Sequence, residues 1–168
     1  KCSSNCVFCS SFSNVFSENQ IPIEKIFEII DFCKQNGTKK INISGGEPLL
    51  YENLLDIIKY STKKQIGTTV YSSGNVKPKL WNPLLCSKLD NKLVKFIFNY
   101  PSAENNIYQK LISSNEFQVK DLNQVIEKII KKNFVVEVNI IPNKINYNSL
   151  YNSTAFLKNL IALLAFCI

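Results

Sequence analysis

With 168 residues, 45% of them hydrophobic, the chain can bury a core, which excludes disorder and implies one domain or part of one. Its formal charge of +7 comes wholly from lysine, scattered over predicted helices and turns instead of massed in a block. Without arginine there is no bidentate fork for phosphates or guanine edges, so a nucleic-acid partner is not expected.

The stretch "KCSSNCVFCSS" places Cys2, Cys6 and Cys9 at C-x3-C-x2-C spacing. Three thiolates, with no histidine in the chain, leave a bound metal one position short of a closed tetrahedral shell. An odd triplet cannot pair off into disulfides, and Cys33, Cys86 and Cys167 lie far apart in sequence. Soft thiolates this close together suit an iron-sulfur cluster, with zinc as the alternative.

From Ile23, the residues Ile26, Phe27, Ile30 and Cys33 fall at helical spacing, and Asn36-Gly37 supplies the stop. "KINIS" reads as a strand ending in Gly45-Gly46, and Leu50, Leu54, Ile57 and Ile58 form the next helical stripe, ended by Gly67. "TTVYSS" is a strand, and Pro78 to Asn91 reads as a helix shortened or kinked by Pro83. "LVKFIFNY" is the strongest strand, and a looser stretch follows it. Leu122, Val125, Ile126 and Ile129 then mark a helix leading into the strand "FVVEVNIIP". Cys33 and Cys86 sit among apolar neighbours, where a free cysteine acts as a small hydrophobe. No apolar run is long enough to span a bilayer and no basic-plus-apolar leader is visible, so no membrane partner and a cytoplasmic setting are expected.

Strands alternating with helices imply βαβ units and a parallel sheet, with the chemistry at the carboxyl ends of the strands. Polar residues collect at those ends: Gly45, Gly46 and Glu47, then Ser72 to Asn75, then Asn99, then Asn139 and Asn143. Asn42 and Ser44 alternate with isoleucines, as Glu137 and Asn139 do with valines, so one strand face is partly polar. That pattern fits either a lined cavity or edge strands with one wet face.

These residues resemble the radical S-adenosylmethionine (radical SAM) enzymes. "CSSNCVFC" matches the family's cysteine signature, with Phe8 where an aromatic usually stands, and "SGGEP" looks like the glycine-rich motif that holds the methionine part of SAM. "YSSGN" and "VNIIPNKINY" are similar to later strand ends in peptide-modifying members. The resemblance implies an α/β fold: a partial (β/α)6 TIM-like barrel with a parallel sheet lacking its first and last strands, the whole of 1–168 being a core domain incomplete at both ends.

The resemblance also implies that Cys2, Cys6 and Cys9 hold three irons of a 4Fe-4S cluster while SAM chelates the fourth. Reductive cleavage of SAM would then give a 5′-deoxyadenosyl radical that abstracts hydrogen from a substrate. Gly45 and Gly46 would admit the methionyl group, and Glu47 would complete that grip or fix the turn. Ser72 and Asn99 would meet the ribose, and Phe8 and Ile141 the adenine. Implied partners are a substrate of peptide kind, such as a ribosomal precursor peptide, and an electron donor such as flavodoxin or ferredoxin. The alternative is a truncated remnant or metal-binding module without SAM chemistry.

Overall fold

The computed structural model describes residues 1–16 and 20–160 and the backbone of 165–166. Its elements run α1 (Ile23–Gln35), β1 (Lys40–Ile43), α2 (Leu54–Lys63), β2 (Gly67–Ser72), α3 (Asn82–Cys86), β3 (Val94–Asn99), α4 (Asn105–Ile112), α5 (Val119–Lys131), β4 (Val135–Ile140), α6 (Leu150–Leu160) and β5 (Ala165–Phe166). All five strands are parallel, in the order β1-β2-β3-β4-β5, so chain order is also sheet order. Chain order kept around an open parallel sheet is the arrangement of a partial (β/α) barrel.

The core lies on one face of the sheet. The register sets Val70, Phe96 and Val136 in one row and Ser72, Phe98 and Val138 in the next. Leu122, Ile126 and Ile129 of α5 belong to the same buried cluster, with Leu54 and Ile58 of α2. Side chains buried this fully each contribute about 1.5–3 kcal/mol. The opposite face carries Tyr71, Ile97 and Glu137 in register, and Lys95 Nζ donates to Glu137 Oε1 at 2.9 Å.

That second face resolves the polar alternation in two ways. Strand β1, with exposed Asn42, forms an edge of the described sheet, whereas β4, with Glu137 and Asn139, lies between β3 and β5. A wet edge accounts for the first pattern but not for the second, where Glu137 is instead paired with Lys95 on the neighbouring strand.

Several expectations change. The Pro78 to Asn91 segment is not one helix but a 3-10 turn, Pro78–Leu80, followed by the five-residue α3. Pro83 stands in the first turn of α3, where its missing N–H removes no helical bond, so it opens the helix instead of kinking it. Gly67 does not end α2; that helix stops at Lys63, Gln65 takes the left-handed conformation at φ 59°, and Gly67 opens β2. The looser stretch after β3 contains α4, with Tyr108, Leu111 and Ile112 buried. A fifth, two-residue strand joins the four read from sequence. Cys86 is exposed, not packed among its leucine neighbours, and Cys167 lies outside the described residues. Among the described residues no helix is long and apolar enough to cross a membrane.

Candidate functional site

The carboxyl ends of β1 to β4 and the cysteine loop enclose a cavity of about 150 Å³. Its cysteine-loop wall includes Cys2, Cys6, Phe8 and Cys9, and its strand-end wall includes Gly45, Gly46, Glu47, Ser72, Asn99 and Ile141. Every site residue named from sequence therefore lies on one surface. Cys33 on α1 and Cys86 on α3 do not line it. A second cavity of about 260 Å³ shares the wall Ser44 to Glu47 and adds Lys1, Ile43, Tyr51 and other residues on the far side.

The cysteine loop has no regular structure and is fastened by backbone bonds to distant elements. Cys2 N–H donates to Asn14 O at 2.9 Å, Asn5 N–H to Ile112 O at 3.2 Å, and Val7 N–H to Leu111 O at 2.9 Å. The last two acceptors sit at the end of α4, where helix carbonyls have no partner of their own. Lys1 O accepts from Glu47 N–H at 2.9 Å, which ties the start of the loop to the glycine-rich turn. Burial pushes the Cys2 thiol up, and pushes the Cys6 thiol up to about 12, with the neighbouring Cys2 and Cys9 adding to the effect.

The two glycines are glycine for different reasons. Gly45 has φ +139°, a conformation that side chains disfavour, and open space where a Cβ would point. At Gly46 a Cβ would lie 1.9 Å from the Lys1 carbonyl oxygen. The bare Cα of Gly46 thus serves the approach of the cysteine loop, a demand that the resemblance had placed on the methionyl group.

Glu47 is 3% exposed and its carboxylate accepts four hydrogen bonds. Oε1 takes Ser72 Oγ at 2.8 Å and Leu49 N–H at 3.3 Å, while Oε2 takes Ser73 Oγ at 2.6 Å and Ser73 N–H at 2.9 Å. Burial pushes its pKa up from the ordinary carboxylate value, and the donors from Ser73, Ser72 and Leu49 pull against that. The carboxylate therefore joins the turn after β1 to the turn after β2. The Ser72 hydroxyl, which also accepts Gly74 N–H at 2.9 Å, spends its proton on Glu47, leaving only a lone pair for a ribose. Asn99, half-buried, keeps an amide with no hydrogen-bond partner among the described residues. Sequence reasoning missed Ser73 as a site residue; the serine beside Ser72, at a strand end opposite a buried carboxylate, was the available sign.

The donor set suits a cluster. Cys2, Cys6 and Cys9 all line the same cavity, and a four-iron cluster takes one thiolate per iron. Ser3 Oγ, next to Cys2, is buried with no hydrogen-bond partner among the described residues, a donor free for sulfur.

The profile of the Radical SAM superfamily matches residues 1–149. The chain is 28% identical over 149 residues to a GTP 3',8-cyclase of Aliarcobacter butzleri, covering 86% of this chain and 44% of that protein. It is 30% identical over 153 residues to a probable GTP 3',8-cyclase of Methanococcus aeolicus, with coverages of 84% and 49%. The chain spans about half the length of these curated relatives. In structure it is similar to Streptococcus suis SuiB bound to precursor peptide SuiA, with a TM-score of 0.82 at 18% identity over 98% of this chain and 36% of that one. Native anSMEcpe with bound AdoMet gives a TM-score of 0.74 at 14% identity over 100% and 49%. Identities this low carry the fold alone. The cysteine loop and glycine turn lie within the matched span, and the chain belongs to the radical SAM superfamily.

Proposed function

We propose that this chain supplies the cluster-binding and SAM-binding part of a radical SAM enzyme. The observation that carries the reading is the shared wall: three thiols and the Gly45-Gly46-Glu47 turn face one cavity and are joined by the bond from Glu47 N–H to Lys1 O. Cys2, Cys6 and Cys9 would hold three irons, Gly45 would offer backbone to the methionyl group, and Asn99 a free amide to the ribose. Phe8 and Ile141 would supply apolar surface to the adenine. When bound, the cluster and SAM supply a one-electron cleavage that begins hydrogen abstraction. The protein's part is to fix the thiols, exclude water from behind them and orient SAM. The one-electron step calls for a donor of flavodoxin or ferredoxin kind.

For the substrate, likeness to proteins named as GTP 3',8-cyclases, at 28–30% identity, supports a nucleotide. The peptide reading draws on "VNIIPNKINY" and on the fold likeness to SuiB. Anaerobic reconstitution with iron and sulfide, followed by reductant and SAM, tests the core reading through release of 5′-deoxyadenosine. Stimulation of that release by GTP favours the nucleotide, and its absence with a cluster present favours the peptide. Cys6→Ala should lose the 4Fe-4S absorption, whereas Cys33→Ala should keep it. Equal iron loss in both variants would refute the ligand assignment.

A further inference from the structure

Between Cys2 and Cys6 the loop makes one side-chain hydrogen bond among the described residues, and it is buried. Asn75 Nδ2 donates to Ser4 Oγ at 3.4 Å, and Ser4 and Asn75 are each 2% exposed. On its other side Asn75 Oδ1 accepts from the hydroxyl of Tyr108, which is 0% exposed on α4. The Asn75 backbone N–H donates to Ser73 Oγ at 3.2 Å, and Ser73 in turn donates to Glu47.

Ser4 stands midway between two thiols that wall the cavity. Its hydroxyl reaches past the loop to a side chain on the β2 turn, whose orientation is set by a phenol on the helix that also receives the Asn5 and Val7 amides. A buried amide satisfied on both ends tolerates one arrangement, because moving either partner strands a polar group away from water. Asn75 itself does not line the cavity, so its effect on the thiols runs through Ser4.

We propose that Asn75, oriented by Tyr108, is a positioning residue that sets the placement of Cys2 and Cys6 by holding Ser4. The inference builds on the cluster reading, but its test begins without metal.

In the metal-free chain, iodoacetamide labelling is followed at each cysteine by mass spectrometry. Asn75→Ala and Tyr108→Phe should raise the labelling rates of Cys2 and Cys6 by roughly 5- to 30-fold, the opening expected when a buried hydrogen bond is lost, while Cys33 keeps its rate. Ser149→Ala is the control, since Ser149 is buried and its hydroxyl bonds to Ser102 at 3.0 Å and to Asn146 O at 3.0 Å, neither of them in the cysteine loop. It should leave Cys2 and Cys6 unchanged. Rates unchanged in both Asn75→Ala and Tyr108→Phe overturn the proposal, as does an equal rise in the control, which would mark general loosening. After reconstitution, the two variants should also bind less iron and show an altered signal of the reduced cluster in electron paramagnetic resonance. A wild-type chain that takes up no iron would defeat the cluster reading, while the labelling rates would still decide the role of Asn75.

Discussion

Replacing Gly46 with alanine will dislodge the cysteine loop. The new Cβ would lie 1.9 Å from the Lys1 carbonyl oxygen and 2.5 Å from its carbon, and both are backbone atoms that cannot swing aside as a side-chain tip can. If the Lys1-Cys2 peptide moves, the 2.9 Å bond to Glu47 N–H breaks. If the turn moves instead, Glu47 leaves Ser72 and Ser73. Overpacking of this kind costs roughly 1–3 kcal/mol, and here it falls on the wall of the site, so iron retained after reconstitution should drop toward the level of Cys2→Ala. Gly45→Ala makes the informative comparison. It meets no atom within 4 Å but must hold φ +139°, so it strains the turn without touching the loop. Iron should largely survive there while SAM affinity falls. Full iron retention in Gly46→Ala would show that the close approach is not required.

The second large effect belongs to Glu47. In Glu47→Gln one oxygen becomes an amide donor, and whichever way the amide turns, a backbone N–H that cannot rotate away, Leu49 or Ser73, faces a donor instead of an acceptor. A buried donor left without a partner costs about 1–3 kcal/mol. Glu47→Asp keeps the charge but withdraws it by one methylene from all four donors. Both variants should melt several degrees lower in thermal unfolding, a shift that roughly 1 kcal/mol produces in a domain of this size. Both should bind SAM more weakly, because the turns after β1 and β2 lose their tie. A Glu47→Gln protein with unaltered melting and SAM affinity would mean that the four bonds are not made in solution.

Much of the architecture was legible because it is periodic. The alternation within "LVKFIFNY" and the helical spacing of Leu122, Ile126 and Ile129 each follow from a face buried against one neighbour. Helix α4 escaped because its signals are weak: its N-cap side chain makes no hydrogen bond, and it ends on Ser113 in the left-handed conformation without a glycine to mark the place. The apolar spacing of Ile107, Tyr108, Leu111 and Ile112 was the sign to follow. The site itself was legible as a motif and not as a mechanism of assembly. Spacing exposes cysteines and glycines, but no local pattern shows that Gly46 faces Lys1, that Glu47 is saturated by serines 25 and 26 residues away, or that Asn75 reaches Ser4 across 71.

Those separations govern the order of folding. The thiol-bearing loop is anchored to Glu47, Asn75, Leu111 and Ile112, all of them far downstream. Contacts of long sequence separation carry a loop-closure cost before they return any stability, so they form late. A nascent chain therefore exposes three unplaced cysteines until α4 has been synthesised and docked. Over that interval the thiols are open to oxidation and accessible to whatever delivers iron and sulfide. Synthesis of the downstream chain would then set the earliest time at which the loop is placed.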